Sequence, residues 1–362
     1  MFSKLFKFDW ALIAVSLLLL SVGLMALYSI STVNPSDGPG IFIKQLFFSA
    51  LGIGLMFFFA YADYHYLKSY SPVIYLATLL ILGAVLLWGE AMRGTSGWIG
   101  IGPFNLQPVE IAKLALIIFL AGFISKNKME IGKAGKIFYS FALAAAMIFL
   151  VFRQPDLGSA MVLAGIWLGM TIISGVDWKY FAGLFFAGVL ITAVGWFCLA
   201  DFQKARITNL INPESDPRGS GYNVIQSVIA VGSGGIWGKG VGHGSQSQLN
   251  FLPEKHTDFI FAAIAEELGI AGAFFVLSLF FFLLYRIKKV AAAAADNFGY
   301  LLAVGIMIMF FLQIAVNIGM NIGIVPVTGI PLPFLSYGGS SLITVFIAMG
   351  ILTNIYLNRK TE

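Results

Sequence analysis

The sequence predicts an all-α polytopic membrane protein of about ten transmembrane helices, with both termini cytoplasmic and a long extracytoplasmic loop between helices seven and eight. Three observations lead there. First, of 362 residues 59% are hydrophobic and only 11% charged, with a mean hydropathy of +0.89. A soluble domain carries about 25% charged residues, so this chain has too few to cover a water-facing surface. Second, the apolar residues fall in long, nearly uncharged runs, and a helical span needs about 20 of them. Third, Lys and Arg gather in alternate connections, the bias that orients spans. The same composition excludes disordered, collagen-like and disulfide-scaffold chains. The single cysteine, Cys198, leaves no internal disulfide and no cysteine-based zinc site.

The runs lie at about 10–30, 42–61, 72–89, 106–124, 137–152, 157–175, 181–200, 267–285, 300–321 and 337–357. The first is expected to stay as a span, because Trp10 to Ile30 is too long for a signal-peptide core and no small-x-small cleavage site follows. Lys126, Lys128, Lys133 and Lys136 crowd one connection, and Arg286, Lys288 and Lys289 another. These place both termini inside. On the outer side, loops are expected at 90–105 and 322–336, and a much longer one over 201–266. Long unstructured connections of that kind are usually functional. The whole of 1–362 reads as a single integral membrane domain. His65, in a cytoplasmic connection, reads as a solvated histidine.

The charges inside the spans are lopsided. An ionisable residue at the centre of a span costs about 2.5–3.5 kcal/mol on insertion scales and marks a functional site by default. Here Glu110 with Lys113, Arg153 with Asp156, and Glu266 with Glu267 all fall at outer helix ends, while the cytoplasmic halves are almost bare. A transporter is expected to carry polar groups at the midplane instead.

Five segments stand out. In Gln107-Pro108-Val109-Glu110, Pro108 suits a first helical turn, and Glu110 shares a face with Lys113. The two are either a self-neutralising ion pair or a cavity-facing lysine that meets an anionic substrate. In Arg153-Gln154-Pro155-Asp156, Asp156 suits a helix start, and Arg153 is able to pair with it or to grip a phosphate. Val231 to Gly244 holds seven glycines around Lys239. Such backbone allows N–H groups close to an oxyanion, or it is a flexible turn between outer helices. It is not a Walker A loop, since Ser233 replaces the first glycine and Gly240 the Ser/Thr. Phe251 to Phe261 packs Glu254, Lys255, His256 and Asp258 between apolar flanks, which favour a general base. His256 and Asp258 alone make a weak metal site. Pro326 to Ser341, punctuated by Pro and Gly, has to be buried in protein or line a cavity.

Taken in order, Trp98-Ile99, Gln107-Pro108, Gln154 to Gly158, Gly232 to Gly240, Gly244 to Gln246, Phe251 to Phe261, Ala265 to Glu267 and Gly329 to Ser341 resemble the SEDS family (shape, elongation, division and sporulation proteins) over nearly the whole chain. The RodA branch is favoured by the compact termini and by Thr328 to Pro333. Two positions depart from the family pattern: Val109 stands where Ser is usual, and Gly97 where a basic residue is common.

The resemblance implies a peptidoglycan glycosyltransferase of the bacterial plasma membrane. It would join lipid II disaccharide-peptide units into glycan strands at the outer leaflet during elongation and shape maintenance. The family's key aspartate falls on Asp258, expected to act as general base. Lys113, Arg153, Asp156, Lys239, Glu254 and His256 are the expected substrate- or pyrophosphate-binding set. The implied partners are a class B penicillin-binding protein (a transpeptidase) and other elongation-complex membrane proteins, with no nucleic acid. No protein metal site is expected, and a divalent cation (Mg or Mn) at the pyrophosphate is an open alternative. The rival readings are a lipid II flippase and a non-catalytic scaffold of the wall-synthesis complex.

Overall fold

The computed structural model describes residues 8–33, 40–92, 95–102, 104–126, 134–176, 179–180, 183, 197, 201–213, 216 and 219–359. Helix α1 spans Trp10–Val33, α2 Gly40–Tyr61 and α3 His65–Trp88; strands β1 (Glu90–Met92), β2 (Thr95–Ile101) and β3 (Phe104–Leu106) follow. Then come α4 (Pro108–Lys126), α5 (Ala134–Arg153), α6 (Leu157–Ile173), α7 (Asp201–Ile211), α8 (Ser220–Ser233) and α9 (Ser245–Gln248). The order ends with α10 (Ile260–Ala293), α11 (Asn297–Asn321) and α12 (Gly339–Leu357).

Among the described residues eight helices, α1 to α5 and α10 to α12, are long and apolar enough to cross a membrane, and α6 is a shorter apolar helix of 17 residues. The chain is a multi-pass membrane protein. Apart from residues 183 and 197, the expected span at 181–200, with Cys198, lies outside the described residues, as do Lys128 and Lys133.

The chain divides into two compact units. One takes in residues 63–205 and 291–309 and is built around α4, which is buried on nearly all sides, as a helix apolar all round should be. The expected 90–105 loop is here a three-stranded antiparallel meander in the order β1-β2-β3. His65 is exposed and has local partners. Its Nδ1 lies 2.7 Å from Asp63, and its ring stacks on Tyr64 with centroids 4.2 Å apart. The hydrogen bonds from His65 hold the Asp63 carboxyl below its usual range, and burial with the bond to Asp296 pushes the Tyr64 hydroxyl up.

The other unit takes in residues 1–62, 206–290 and 310–358. The connection expected over 201–266 contains α7, α8 and α9, and α10 begins before the expected start of span eight. The reason is a break at Gly269, where φ is +69° and ψ −169°. Ahead of it Ile260, Ala262 and Glu266 are fully buried, whereas beyond it Ile270, Phe274 and Phe281 are exposed, so a hydropathy window registers only the second segment.

The break leaves helical backbone groups unpaired, and unpaired buried groups are costly. The glycine-rich turn supplies their partners. The carbonyls of Glu266 and Glu267 accept the N–H groups of Lys239 (3.1 Å) and Gly240 (2.9 Å), while Ile270 and Ala271 donate to the carbonyls of Gly235 (2.9 Å) and Ile236 (3.1 Å). Two chains approach this closely only without side chains. A Cβ on Gly269 would collide with the backbone of Gly238 and Ile236. The turn, read from sequence as an oxyanion cradle or a flexible link, is a backbone splice across a broken helix.

Replacing Gly269 forces a side chain into a region of φ/ψ that is essentially glycine-only, at a cost of order 1–3 kcal/mol before the clash is counted. Gly269→Ala should lower the melting temperature in detergent and reduce accumulation in the membrane. An unchanged melting curve would contradict the splice.

Candidate active site

Residues 253–259 form consecutive turns that lead into α10. The Glu254 carbonyl accepts three N–H groups, from Thr257 (3.1 Å), Asp258 (3.1 Å) and Phe259 (3.2 Å). Glu254 itself has φ +44°, a left-handed conformation uncommon outside glycine, which bends the chain sharply enough to bring the three donors together.

The next carbonyls are pinned from outside the turn. That of His256 accepts the Tyr337 N–H at 2.8 Å, and that of Thr257 accepts the Ser336 hydroxyl at 2.6 Å. That of Asp258 accepts both Asn317 Nδ2 at 3.1 Å and Asn321 Nδ2 at 3.0 Å. Gln45 of α2 secures the same segment. It donates to the Ser336 carbonyl (3.2 Å) and accepts from the Gly338 N–H (3.3 Å). Asn317 also donates to the Ile330 carbonyl at 2.8 Å, which draws the 326–338 loop alongside. There Gly329, at φ +74°, comes so near that a Cβ on it would stand 3.5 Å from Asp258 Oδ2. Thr257 and Phe259 are buried, whereas Asp258 between them is partly exposed. The backbone is fixed and the carboxylate sits at a boundary.

Near Asp258 several charged side chains are held by structural partners. Lys255 is buried, its ammonium on the Ser247 carbonyl (2.7 Å) and Asn250 Oδ1 (2.6 Å). Glu254 Oε2 accepts the Thr257 hydroxyl at 3.0 Å and lies 4.0 Å from His256 Nε2. Lys239 donates to Ser233 (2.9 Å), Ser245 (2.8 Å) and Glu266 (2.8 Å). Glu266 also accepts the Gln246 and Ser247 N–H groups at 2.8 and 2.9 Å. Glu267 gathers the Ser29 hydroxyl, Gln248 Nε2 (3.0 Å) and the Gly242 N–H (3.2 Å). The two glutamates therefore staple α9 and the glycine-rich turn to α10.

The remaining expected site residues belong to the other unit. Lys113 has no exposed side-chain surface and donates to Glu110, itself buried, at 2.7 Å. Asp156 caps α6, accepting the Ser159 N–H at 2.9 Å and Gln107 Nε2 at 3.4 Å. Arg153 is exposed at the end of α5. Among the described residues no three of His, Cys, Asp and Glu are grouped to hold a metal ion.

Four residues that hold the Asp258 turn escaped the sequence reading: Gln45, Asn317, Asn321 and Ser336. A signal existed. Gln45, Asn317 and Asn321 are amides within otherwise apolar runs, and Asn317 and Asn321 are four apart on one helical face.

Comparison with known proteins agrees with this organisation. The family model FTSW_RODA_SPOVE, described as "Cell cycle protein", matches residues 9–361. The chain is 40% identical over 354 residues to "Stage V sporulation protein E" of Bacillus subtilis, covering 96% of each. It is also 40% identical over 316 residues to "Peptidoglycan glycosyltransferase MrdB" of Escherichia coli, covering 86% of this chain and 84% of that protein. A solved chain from work described as "Structural coordination of polymerization and crosslinking by a peptidoglycan synthase complex" superposes with a TM-score of 0.83 at 31% identity, covering 98% of this chain and 99% of that one. The crystal structure of Thermus thermophilus Rod shape determining protein RodA gives 0.73 at 27% identity, covering 98% of each. The expected family is therefore borne out, and the chain belongs to the FtsW/RodA/SpoVE family of cell cycle proteins.

Proposed function

We propose that this protein is a peptidoglycan glycosyltransferase that polymerises lipid II into glycan strands during cell elongation and shape maintenance. The relatives' names and the 40% identity to MrdB support the activity. The observation that carries the residue assignment is the Asp258 turn, in which three successive carbonyls are anchored while the carboxylate is partly exposed. The protein acts in the plasma membrane, with Asp258 on the extracytoplasmic side, where lipid II presents its sugars and diphosphate. A class B penicillin-binding protein supplies the crosslinking half. The solved complex, described as coordinating polymerization with crosslinking, supports that pairing.

In this reading Asp258 takes the proton of the acceptor GlcNAc 4-hydroxyl. The oxygen attacks the anomeric carbon of the donor MurNAc, and the bond from that carbon to the pyrophosphate breaks. Undecaprenyl pyrophosphate leaves with the bonding electrons, so the configuration inverts without a covalent enzyme intermediate. Preorganised donors to the departing diphosphate add electrostatic stabilisation; exposed Arg153 is assigned as a contact for a lipid anion on its own unit. Lys113 with Glu110, Asp156 on its cap and Lys239 on Glu266 act through the scaffold that positions the binding surfaces. Glu254 and His256 shape the base-bearing turn.

General base catalysis is worth about 10²–10⁴-fold. Asp258→Asn should therefore lose at least about 10²-fold in strand synthesis from lipid II, measured with the partner transpeptidase in detergent, while folding normally. Undiminished product would dismiss the base assignment, and lipid translocation without strand synthesis in the wild type would favour a flippase. Arg153→Ala should raise KM for lipid II and lower the rate with the protein level intact. Lys113→Ala isolates a buried carboxylate, at a cost of about 3–5 kcal/mol. It should fail chiefly in thermal stability and membrane accumulation, and Lys113→Met with Glu110→Gln should recover much of that loss. A Lys113→Ala protein that is stable but inactive would return this lysine to the substrate.

A further inference from the structure

Asn317 and Asn321 lie one turn apart on α11, both without exposed surface. In a helix that continued through Asp258, the Ala262 N–H would bond to the Asp258 carbonyl. It does not. The Ala262 N–H donates to Asn321 Oδ1 at 3.0 Å, and the Asp258 carbonyl accepts Asn321 Nδ2 at 3.0 Å. A side-chain carboxamide is thus inserted into the i→i−4 ladder, an arrangement known to bend or open helices. One residue further on the ladder is intact, since the Ala263 N–H reaches the Phe259 carbonyl at 3.1 Å.

Asn317 completes the arrangement. Its Nδ2 donates to both the Asp258 carbonyl (3.1 Å) and the Ile330 carbonyl (2.8 Å), so one amide bridges the Asp258 turn and the loop bearing Gly329. Asn321 Nδ2 in turn donates to the Asn317 carbonyl at 2.8 Å. The two amides partner the backbone groups of Asp258, Ala262 and Ile330. An apolar residue at 317 or 321 would match α11, and a closed ladder would satisfy the Ala262 N–H unaided.

We propose that Asn317 and Asn321 are positioning residues: they hold Asp258 out of α10 and against the Gly329 backbone, which aims its carboxylate. The inference rests on Asp258 acting as base. Without the inserted amide, α10 gains the Ala262-to-Asp258 bond and winds back through Asp258. The side chain is then re-aimed while the fold persists. A misplacement of about 1 Å in a reacting group is enough to cost about 10²-fold.

The test is strand synthesis from lipid II across the accessible pH range for the wild type, Asn321→Ala, Asn317→Ala and Asp258→Asn, with melting temperatures for each. Asn317→Ser, which keeps a donor, serves as the conservative variant. Asn321→Ala and Asn317→Ala should lose about 10- to 100-fold in kcat, with KM for lipid II unchanged within about twofold. The acid limb of the kcat profile should move, and Asn317→Ser should recover part of the rate. The Ala262 amide should stay protected from hydrogen exchange in Asn321→Ala, its partner now the Asp258 carbonyl. A rate that falls only in proportion to folded protein, with an unmoved pH profile, reduces the pair to a structural role and overturns the proposal. Wild-type rates in both variants beside an inactive Asp258→Asn overturn it while leaving the base assignment standing. An active Asp258→Asn overturns both.

Discussion

Buried backbone groups have no water to turn to, and a helix broken inside the protein needs partners for the N–H and C=O groups that the break releases. The short helical segment 260–268 has such a break at each end, and most of the polar architecture of its unit follows from closing them. At one end the Asn321 carboxamide stands between the Ala262 N–H and the Asp258 carbonyl. At the other, backbone from the glycine-rich turn takes up the groups released at Gly269. The segment is consequently rigid without being part of a long straight helix, and it presents an aspartate at its start and two glutamates at its end.

This division explains why acidic residues so close in sequence behave so differently. Glu266 and Glu267 are enclosed, and each gathers hydroxyl, amide and backbone donors that fasten neighbouring turns to α10. Asp258 is held by its backbone and partly exposed through its side chain. In the other unit the Glu110–Lys113 pair is a further case of enclosure. Buried pairs of this kind contribute little net stability, but losing one partner is expensive.

The resemblance in sequence and the fold agree because both reflect the same turns. The glycine spacing around Lys239 is readable as a motif, yet its cause is steric: Gly238 and Gly269 pass each other with no room for a Cβ. The spacing alone was compatible with a phosphate cradle. Only the partners of Lys239 and Gly240, which lie on α10, identify it as a splice.

Composition and hydropathy by themselves determined that the chain crosses a membrane many times, because a shortage of charge and runs of about 20 apolar residues admit no other solvent. The run from Phe251 to Phe261 marked a charged cluster between apolar flanks, and within it the family resemblance pointed to Asp258. Tertiary structure decided the rest. The start of α10 was hidden because hydropathy registers the lipid-facing segment and not the buried one before Gly269. The meander at 90–106 was hidden because short strands in a loop carry almost no periodic signal. Asn317, Asn321 and Gln45 were hidden because an uncharged amide barely disturbs an apolar run, and its importance lies in which distant carbonyl it meets. That choice belongs to the packing of α2, α10 and α11, where each amide finds an orphaned backbone group and holds it.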